Sequence, residues 1–139
     1  MPYVDTSIII AALIEEERSG DADGILGDPG NPVWISDWTV TEAASALALK
    51  VRHGTIRERN QQAARHRLEI LVRKSLRHVA LEPFDFRRAA ALCDHHALNL
   101  RAGDALHLAI AERIGVELVT FDTVQAAAGA ALGIAARVP

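Results

Sequence analysis

Aromatic side chains are nearly missing from this chain: three Phe, two Trp and one Tyr make up 4% of its 139 residues, although half of them are apolar. The core must therefore be built from Ala, Leu, Ile and Val, and Ala-rich runs at helical spacing predict a helix-heavy protein. Cysteine is almost absent too. Cys93 has no partner, which excludes an internal disulfide, and its place in Ala89-Ala90-Ala91-Leu92-Cys93 reads as a buried structural thiol rather than a nucleophile. No apolar run reaches about 18 residues and no basic-plus-apolar leader opens the sequence, so neither membrane spanning nor export is expected; a soluble, cytoplasmic protein is. No Gly-x-Gly-x-x-Gly loop or Walker lysine occurs, which argues against a bound nucleotide cofactor. Repeats, low-complexity tracts and domain-sized linkers are lacking as well. A chain of this length then reads as one domain, residues 1–139, with a sizeable core.

The net charge of −3 conceals an asymmetry. Nine of the fifteen Lys and Arg lie between Lys50 and His78, with only Glu58 and Glu69 among them, leaving six basic and sixteen acidic residues elsewhere. Such a basic arm on an acidic body attracts a polyanion to one face, or is simply a solvated helical face with ordinary ion pairs; charge alone does not separate these readings.

Strand-like and helix-like segments alternate. Pro2 to Val4 reads as a first strand, and Thr6 or Ser7 caps a helix to about Glu17. A short helix covers Asp21 to Leu26, and the loop 27–32 leads to a strand over Val33 to Ser36. A helix from Val40 to about His53 stops at Gly54. Thr55 to Lys74 forms a long helix with Ala64, Leu68, Leu71 and Val72 on its apolar stripe. A third strand spans His78 to Leu81, helices cover Asp85 to His95 and Asp104 to Ile114, and a fourth strand runs from Glu117 to Thr120. Thr123 to Leu132 is helical, and Ile134 to Val138 is a last strand. This alternation implies an α/β/α sandwich around a mainly parallel sheet, with a strand order that periodicity cannot supply.

Four acids fall where one element hands over to the next. Asp5 ends the stub Tyr3-Val4, Glu42 follows Thr39-Val40-Thr41, Asp104 stands in Ala102-Gly103-Asp104-Ala105, and Asp122 follows Leu118-Val119-Thr120-Phe121. In a parallel sheet these positions gather at the carboxyl edge of the strands, where ligands bind. Each has a plain structural explanation: Asp5, Asp104 and Asp122 as helix N-caps, Glu42 as a first-turn acid facing the macrodipole. As a set they form a constellation that capping does not require. Converging carboxylates repel unless a cation or protons neutralise them, and an all-oxygen cluster suits Mg²⁺ or Mn²⁺.

These segments together resemble the PIN-domain family, most closely its VapC-type ribonuclease toxins. The resemblance rests on Tyr3-Val4-Asp5-Thr6-Ser7, on Val40 to Leu47, on Leu100 to Ala109 and on Leu118 to Asp122, four motifs in order across nearly the whole chain. It implies a metal-dependent endoribonuclease with Asp5 and Asp104 as direct ligands of Mg²⁺ or Mn²⁺. Glu42 would hold the ion or position the attacking water, and Asp122 would complete the site directly or through water. Thr6, Ser7 and Thr120 are candidate supporting hydroxyls. Such an ion can activate water without a histidine base. The resemblance also implies a homodimer and a cognate antitoxin whose tail occupies the acidic groove, where an arginine or lysine would displace the ion; part of the stripe Ala64, Leu68, Leu71, Val72 is expected to face such a second chain.

Other residues invite weaker readings. His95 and His96 are adjacent, so their rings point apart on a helix. His107 shares a helix face with Asp104, and packing is favoured over substrate contact. Trp34 and Trp38 read as packing residues, and Arg101 as either a phosphate contact or a surface residue. Two alternatives to the nuclease stand: a catalytically silent interaction module, and a phosphotransfer enzyme using Asp5 as nucleophile. The latter needs a second acid two residues on, where this chain has Ser7.

Overall fold

The computed structural model describes residues 1–139. It runs β1 (Tyr3–Val4), α1 (Thr6–Leu13), α2 (Ser19–Leu26), β2 (Trp34–Ser36), α3 (Asp37–Arg52), α4 (Glu58–Lys74), β3 (Arg77–Val79), α5 (Pro83–Cys93), a 3-10 turn (His96–Leu98), α6 (Ala102–Ile114), β4 (Leu118–Val119), α7 (Thr123–Ala131) and β5 (Ala136–Arg137). All strand pairs are parallel, in the order β3-β2-β1-β4-β5. No helix is long and apolar enough to cross a membrane.

The strands are short but buried on both faces, because neighbouring residues of a strand point to opposite sides. Tyr3 and Leu118, in register, face one cluster with Leu92 of α5 and Leu108 and Ile110 of α6. Val4 and Val119, the next pair in register, face the other, with Ile8 to Leu13 of α1, Leu47 of α3, and Ala64 and Leu68 of α4. The result is the three-layer arrangement expected from the alternation. Helix α1 is enclosed almost all round, with Ile8 to Leu13 buried without a break; each fully buried Ile or Leu contributes roughly 1.5–3 kcal/mol. The stripe on α4 is largely consumed here: Ala64 and Leu68 are buried, and Leu71 and Val72 pack on the same cluster.

Several boundaries differ from the sequence expectation. Helix α1 ends at Leu13, where Ile14 turns extended. Three glutamates at 15–17 oppose the negative end of a helix, and the Ser19 hydroxyl lies 2.6 Å from Ala11 O and 3.0 Å from Ile14 O, covering carbonyls the helix leaves free. Helix α3 begins at Asp37, three residues earlier than expected, with Ser36 as its cap and Thr39 Oγ1 accepting from the Ser36 N–H at 3.3 Å. Helix α5 begins at Pro83, whose missing N–H costs nothing in a first turn. Helix α6 closes on Gly115 in the left-handed region at φ 68°, a conformation glycine adopts without penalty.

Helices α5 and α6, the latter carrying Asp104, are braced by a buried ion pair. Asp85 is fully buried, and Arg113 donates to it through Nε at 2.6 Å and Nη2 at 3.0 Å. Arg113 Nη2 also donates to Ala80 O at 2.8 Å, and the Glu82 N–H donates to Asp85 Oδ2 at 2.8 Å. Removing one partner of such a pair strands the other. Asp85→Ala is therefore expected to destabilise the fold by about 3 kcal/mol, read from urea unfolding; a loss below about 1 kcal/mol would show that the brace is dispensable.

Candidate functional site

The strand order reverses between β1 and β4: the chain leaves β1 toward β2 and β3, and leaves β4 toward β5. Crevices at such reversals, outside the carboxyl ends of the strands, are where open sheets bind ligands. Asp5 directly follows β1, and Asp122 follows β4 by three residues.

Asp5 is the N-cap of α1 and only 5% exposed. Its Oδ1 accepts from the Ser7 N–H at 3.1 Å and the Ser7 hydroxyl at 2.5 Å, and its Oδ2 accepts from the Thr120 hydroxyl at 2.7 Å. The same hydroxyls reach onward: Phe121 N–H donates to Ser7 Oγ and Asp122 N–H to Thr120 Oγ1, both at 2.9 Å. Burial raises the Asp5 carboxyl above its ordinary range, against the lowering pull of His107, Ser7 and Thr120. Asp122 is exposed and caps α7, accepting from Val124 N–H at 2.8 Å and Gln125 N–H at 3.0 Å. Asp104 lies in the first turn of α6, its carbonyl accepting from Gln125 Nε2 at 3.1 Å, so the starts of α6 and α7 abut.

Glu42 reaches the site from the interior of α3. Its Oε2 accepts from the Thr6 hydroxyl at 2.6 Å and meets His107 Nε2 at 2.5 Å. His107 is 1% exposed, and its Nδ1 lies 2.9 Å from the Tyr3 hydroxyl. That hydroxyl is also bonded to Ser36 Oγ at 2.8 Å and Thr39 Oγ1 at 3.3 Å. Burial, first among the causes, pushes the Tyr3 phenol up to about 12, so it stays a donor. The other Glu42 oxygen faces Gly103: a Cβ there would meet Oε1 at 2.7 Å and Trp38 Cζ2 at 3.2 Å. Glycine at 103 thus gives the carboxylate room. The Trp38 Nε1–H beside it is buried without a partner.

The charges feel one another. Asp104 is raised above the usual carboxylate range, first by burial and then by Asp122, Glu42 and Asp5, with His107 pulling the other way. Glu42 is lowered: burial acts to raise it, but the hydrogen bond and charge of His107 and the Thr6 hydroxyl outweigh that. No three acidic, His or Cys side chains come close enough to enclose a metal ion. Asp5, Glu42 and Asp122 instead accept from their own donors. The donor set nonetheless fits a hard divalent cation: it is all oxygen, and a positive charge relieves the repulsion raising Asp104.

Two structural readings of the acids change. Thr6 and Ser7 do not cap α1; Asp5 does, and their hydroxyls serve Glu42 and Asp5. Glu42 is no first-turn acid either, because the Ser36 cap starts α3 well upstream of it. Capping accounts for Asp122 and part of Asp5, while Asp104 sits in the first turn of a helix whose cap position is Arg101. His107 packs as expected, yet both ring nitrogens go to the site. It is too buried to touch substrate. Tyr3, Ser36, Thr39 and Gly103 were not singled out by sequence reasoning; the lone tyrosine two residues before Asp5 was the one available signal.

The remaining residues are plainer. His95 and His96 fall at the 3-10 turn after α5, and Arg101 is exposed. Trp34 and Trp38 pack half-buried on the α5–α6 side, and Arg77 lies 5.9 Å over the Trp34 ring. Cys93 is half-buried at the end of α5 rather than fully enclosed. Arg52, Arg57, Arg59, Arg65 and Arg73 are exposed, and none forms an ion pair. Arg57, Arg59 and Arg67 border a cavity of about 650 Å³ at the α3–α4 turn.

A central parallel sheet of reversed strand order, covered on both faces and edged by four acids, defines a class of α/β protein with an acidic crevice. The chain belongs to the PIN-domain family, whose model matches residues 3–131. Its fold is shared by the Mycobacterium tuberculosis toxin VapC20, described as cleaving the sarcin-ricin loop, at TM-score 0.71 and 21% identity over 93% of this chain and 95% of that one. It is shared by VapBC2 from Rickettsia felis, solved with a promoter DNA fragment, at TM-score 0.69 and 14% identity over 99% and 98%. FitAcB from Neisseria gonorrhoeae aligns at TM-score 0.66 and 23% identity over 98% and 96%. No curated protein sequence matches the chain significantly.

The raised Asp104 carboxyl has a thermodynamic consequence. A group whose folded pKa lies above its unfolded one adds stability at low pH that is lost as pH rises through the folded value. At neutral pH without divalent metal, ionised Asp104 is therefore a net cost, and Asp104→Asn should melt above the wild type. The gap should close as pH falls below about 3, where Asp104 is largely protonated in both states. A lower melting temperature at every pH would mean that its place in the first turn of α6 outweighs the repulsion.

Proposed function

We propose that the protein is a metal-dependent endoribonuclease toxin, acting in the cytoplasm and silenced by a cognate antitoxin. The observation that carries this reading is the acidic quartet flanking the strand-order reversal of a PIN-family chain. Asp5 and Asp104 would bind Mg²⁺ or Mn²⁺, with Glu42 and Asp122 completing the site. When bound, the ion would neutralise charge on the phosphoryl oxygens.

The chain's own residues do the rest. Ser7 and Thr120 fix both oxygens of Asp5, so its carboxylate is oriented before anything binds. Asp104, the acid most strained by its neighbours' charges, gains most from a cation. RNA, itself a polyanion, needs attraction elsewhere to approach an acidic crevice, and the unpaired arginines of α3 and α4 supply it. A homodimer and an antitoxin that covers the crevice with a cationic side chain fit the same electrostatics, because an arginine or lysine would offset the repulsion in place of the metal.

The alternatives are less well supported. A phosphotransfer role requires Asp5 to attack, yet it is nearly buried with both oxygens committed. A silent interaction module has no use for three acids whose charges add to the rise of Asp104.

Purified protein with Mn²⁺ or Mg²⁺ is expected to cleave RNA. Asp5→Asn and Asp104→Asn should each abolish cleavage while remaining folded by circular dichroism, and expression of the wild type alone should arrest growth. Retained cleavage in both variants, or wild-type protein inert towards RNA with either metal, would overturn the proposal.

A further inference from the structure

We infer that His107, itself anchored by Tyr3, is a positioning residue that fixes Glu42 in the acidic site; the inference rests on the nuclease reading above. A 1%-exposed imidazole is an expensive way to fill space, since a buried polar ring costs free energy unless its nitrogens are satisfied, and an aliphatic side chain would pack there without that cost. Both nitrogens are satisfied, and by particular partners. Glu42 Oε2 is an acceptor, so Nε2 carries a hydrogen towards it, and Nδ1 is hydrogen-bonded to the Tyr3 hydroxyl. That hydroxyl is bonded in turn to Ser36, the cap of α3. The tilted contact of the two rings, 5.6 Å between centroids, holds the imidazole plane.

The line Ser36–Tyr3–His107–Glu42 joins β2, β1, α6 and α3, and so ties the helix layers on the two faces of the sheet across its carboxyl edge. Glu42 needs such a tie. Unlike Asp5 and Asp122, it has no helix N-terminus to accept from, and a free glutamate has three torsions to freeze. Thr6 and His107 hold Oε2 and leave Oε1 facing Gly103, next to Asp104. Outer partners of this kind set the orientation of a ligating carboxylate.

The test is Mn²⁺ calorimetry on the purified full-length protein without RNA, with cleavage kinetics beside it. His107→Leu should weaken Mn²⁺ binding roughly tenfold or more and lower kcat with little change in KM for RNA. His107→Gln, whose amide can donate from near the Nε2 position, should recover most of both. Tyr3→Phe, which removes only the hydroxyl and keeps the ring contact, should show a smaller loss in the same direction, and it stands in if His107→Leu does not fold. Wild-type affinity in both His107→Leu and Tyr3→Phe, or equal losses in the Leu and Gln variants, would overturn the positioning role while leaving the nuclease reading intact. A wild type that neither binds Mn²⁺ nor cleaves RNA would instead fell the nuclease reading, and this inference with it.

Discussion

Repulsion among carboxylates at one edge of the sheet is the constraint that the rest of the site accommodates. A parallel sheet whose order reverses between β1 and β4 delivers the ends of both strands, and the starts of the helices that follow, to the same place. Asp5 and Asp122 stand at helix N-caps and Asp104 in a first turn, where the positive end of a helix favours an anion. Those ends and the hydroxyls of Ser7 and Thr120 make the gathering tolerable but not neutral. The upward shift of Asp104, to which Asp122, Glu42 and Asp5 add after burial, shows what is left over.

Glu42 is held by a different device. It comes from within α3, and its charge is balanced by side chains alone, Thr6 and His107 on one oxygen, while the other packs over Gly103. Consequently it is the acid of the set whose carboxyl is lowered, while Asp104 beside it is raised. Neighbouring acids pushed in opposite directions are a mark of functional sites rather than of general surface charge. No closed ligand set forms in the protein alone; Asp5, Glu42 and Asp122 each accept hydrogen bonds from donors of their own.

Much of this was legible in the residues. The alternation of short apolar runs with Ala-rich helices implied the layered α/β fold, and the four acids stood out because each followed an element boundary. What stayed hidden depends on contacts distant in sequence. Strand order is invisible to periodicity, so the crevice between β1 and β4 could not be placed. The start of α3 was misjudged because Ser36 and Thr39 read as strand and turn rather than as a cap, and this turned Glu42 into a first-turn acid. His107 read as packing because nothing local indicates that Tyr3, 104 residues away, meets its ring. The apolar stripe of α4 suggested a surface for a second chain; α1 and α3 cover most of it. In the basic arm Lys50 pairs with Glu16, whereas Arg52, Arg57, Arg59, Arg65 and Arg73 are exposed and form no ion pair.

The central claim is that the acidic edge is built at a cost in stability that a divalent cation relieves. The direct measurement is the melting temperature of the wild-type protein across a Mn²⁺ titration at neutral pH, repeated near pH 4. Binding to the folded state raises stability with the logarithm of ligand concentration above Kd, so the account predicts a rise at neutral pH that continues through the titration and largely vanishes near pH 4. A melting temperature indifferent to Mn²⁺ at neutral pH would contradict it.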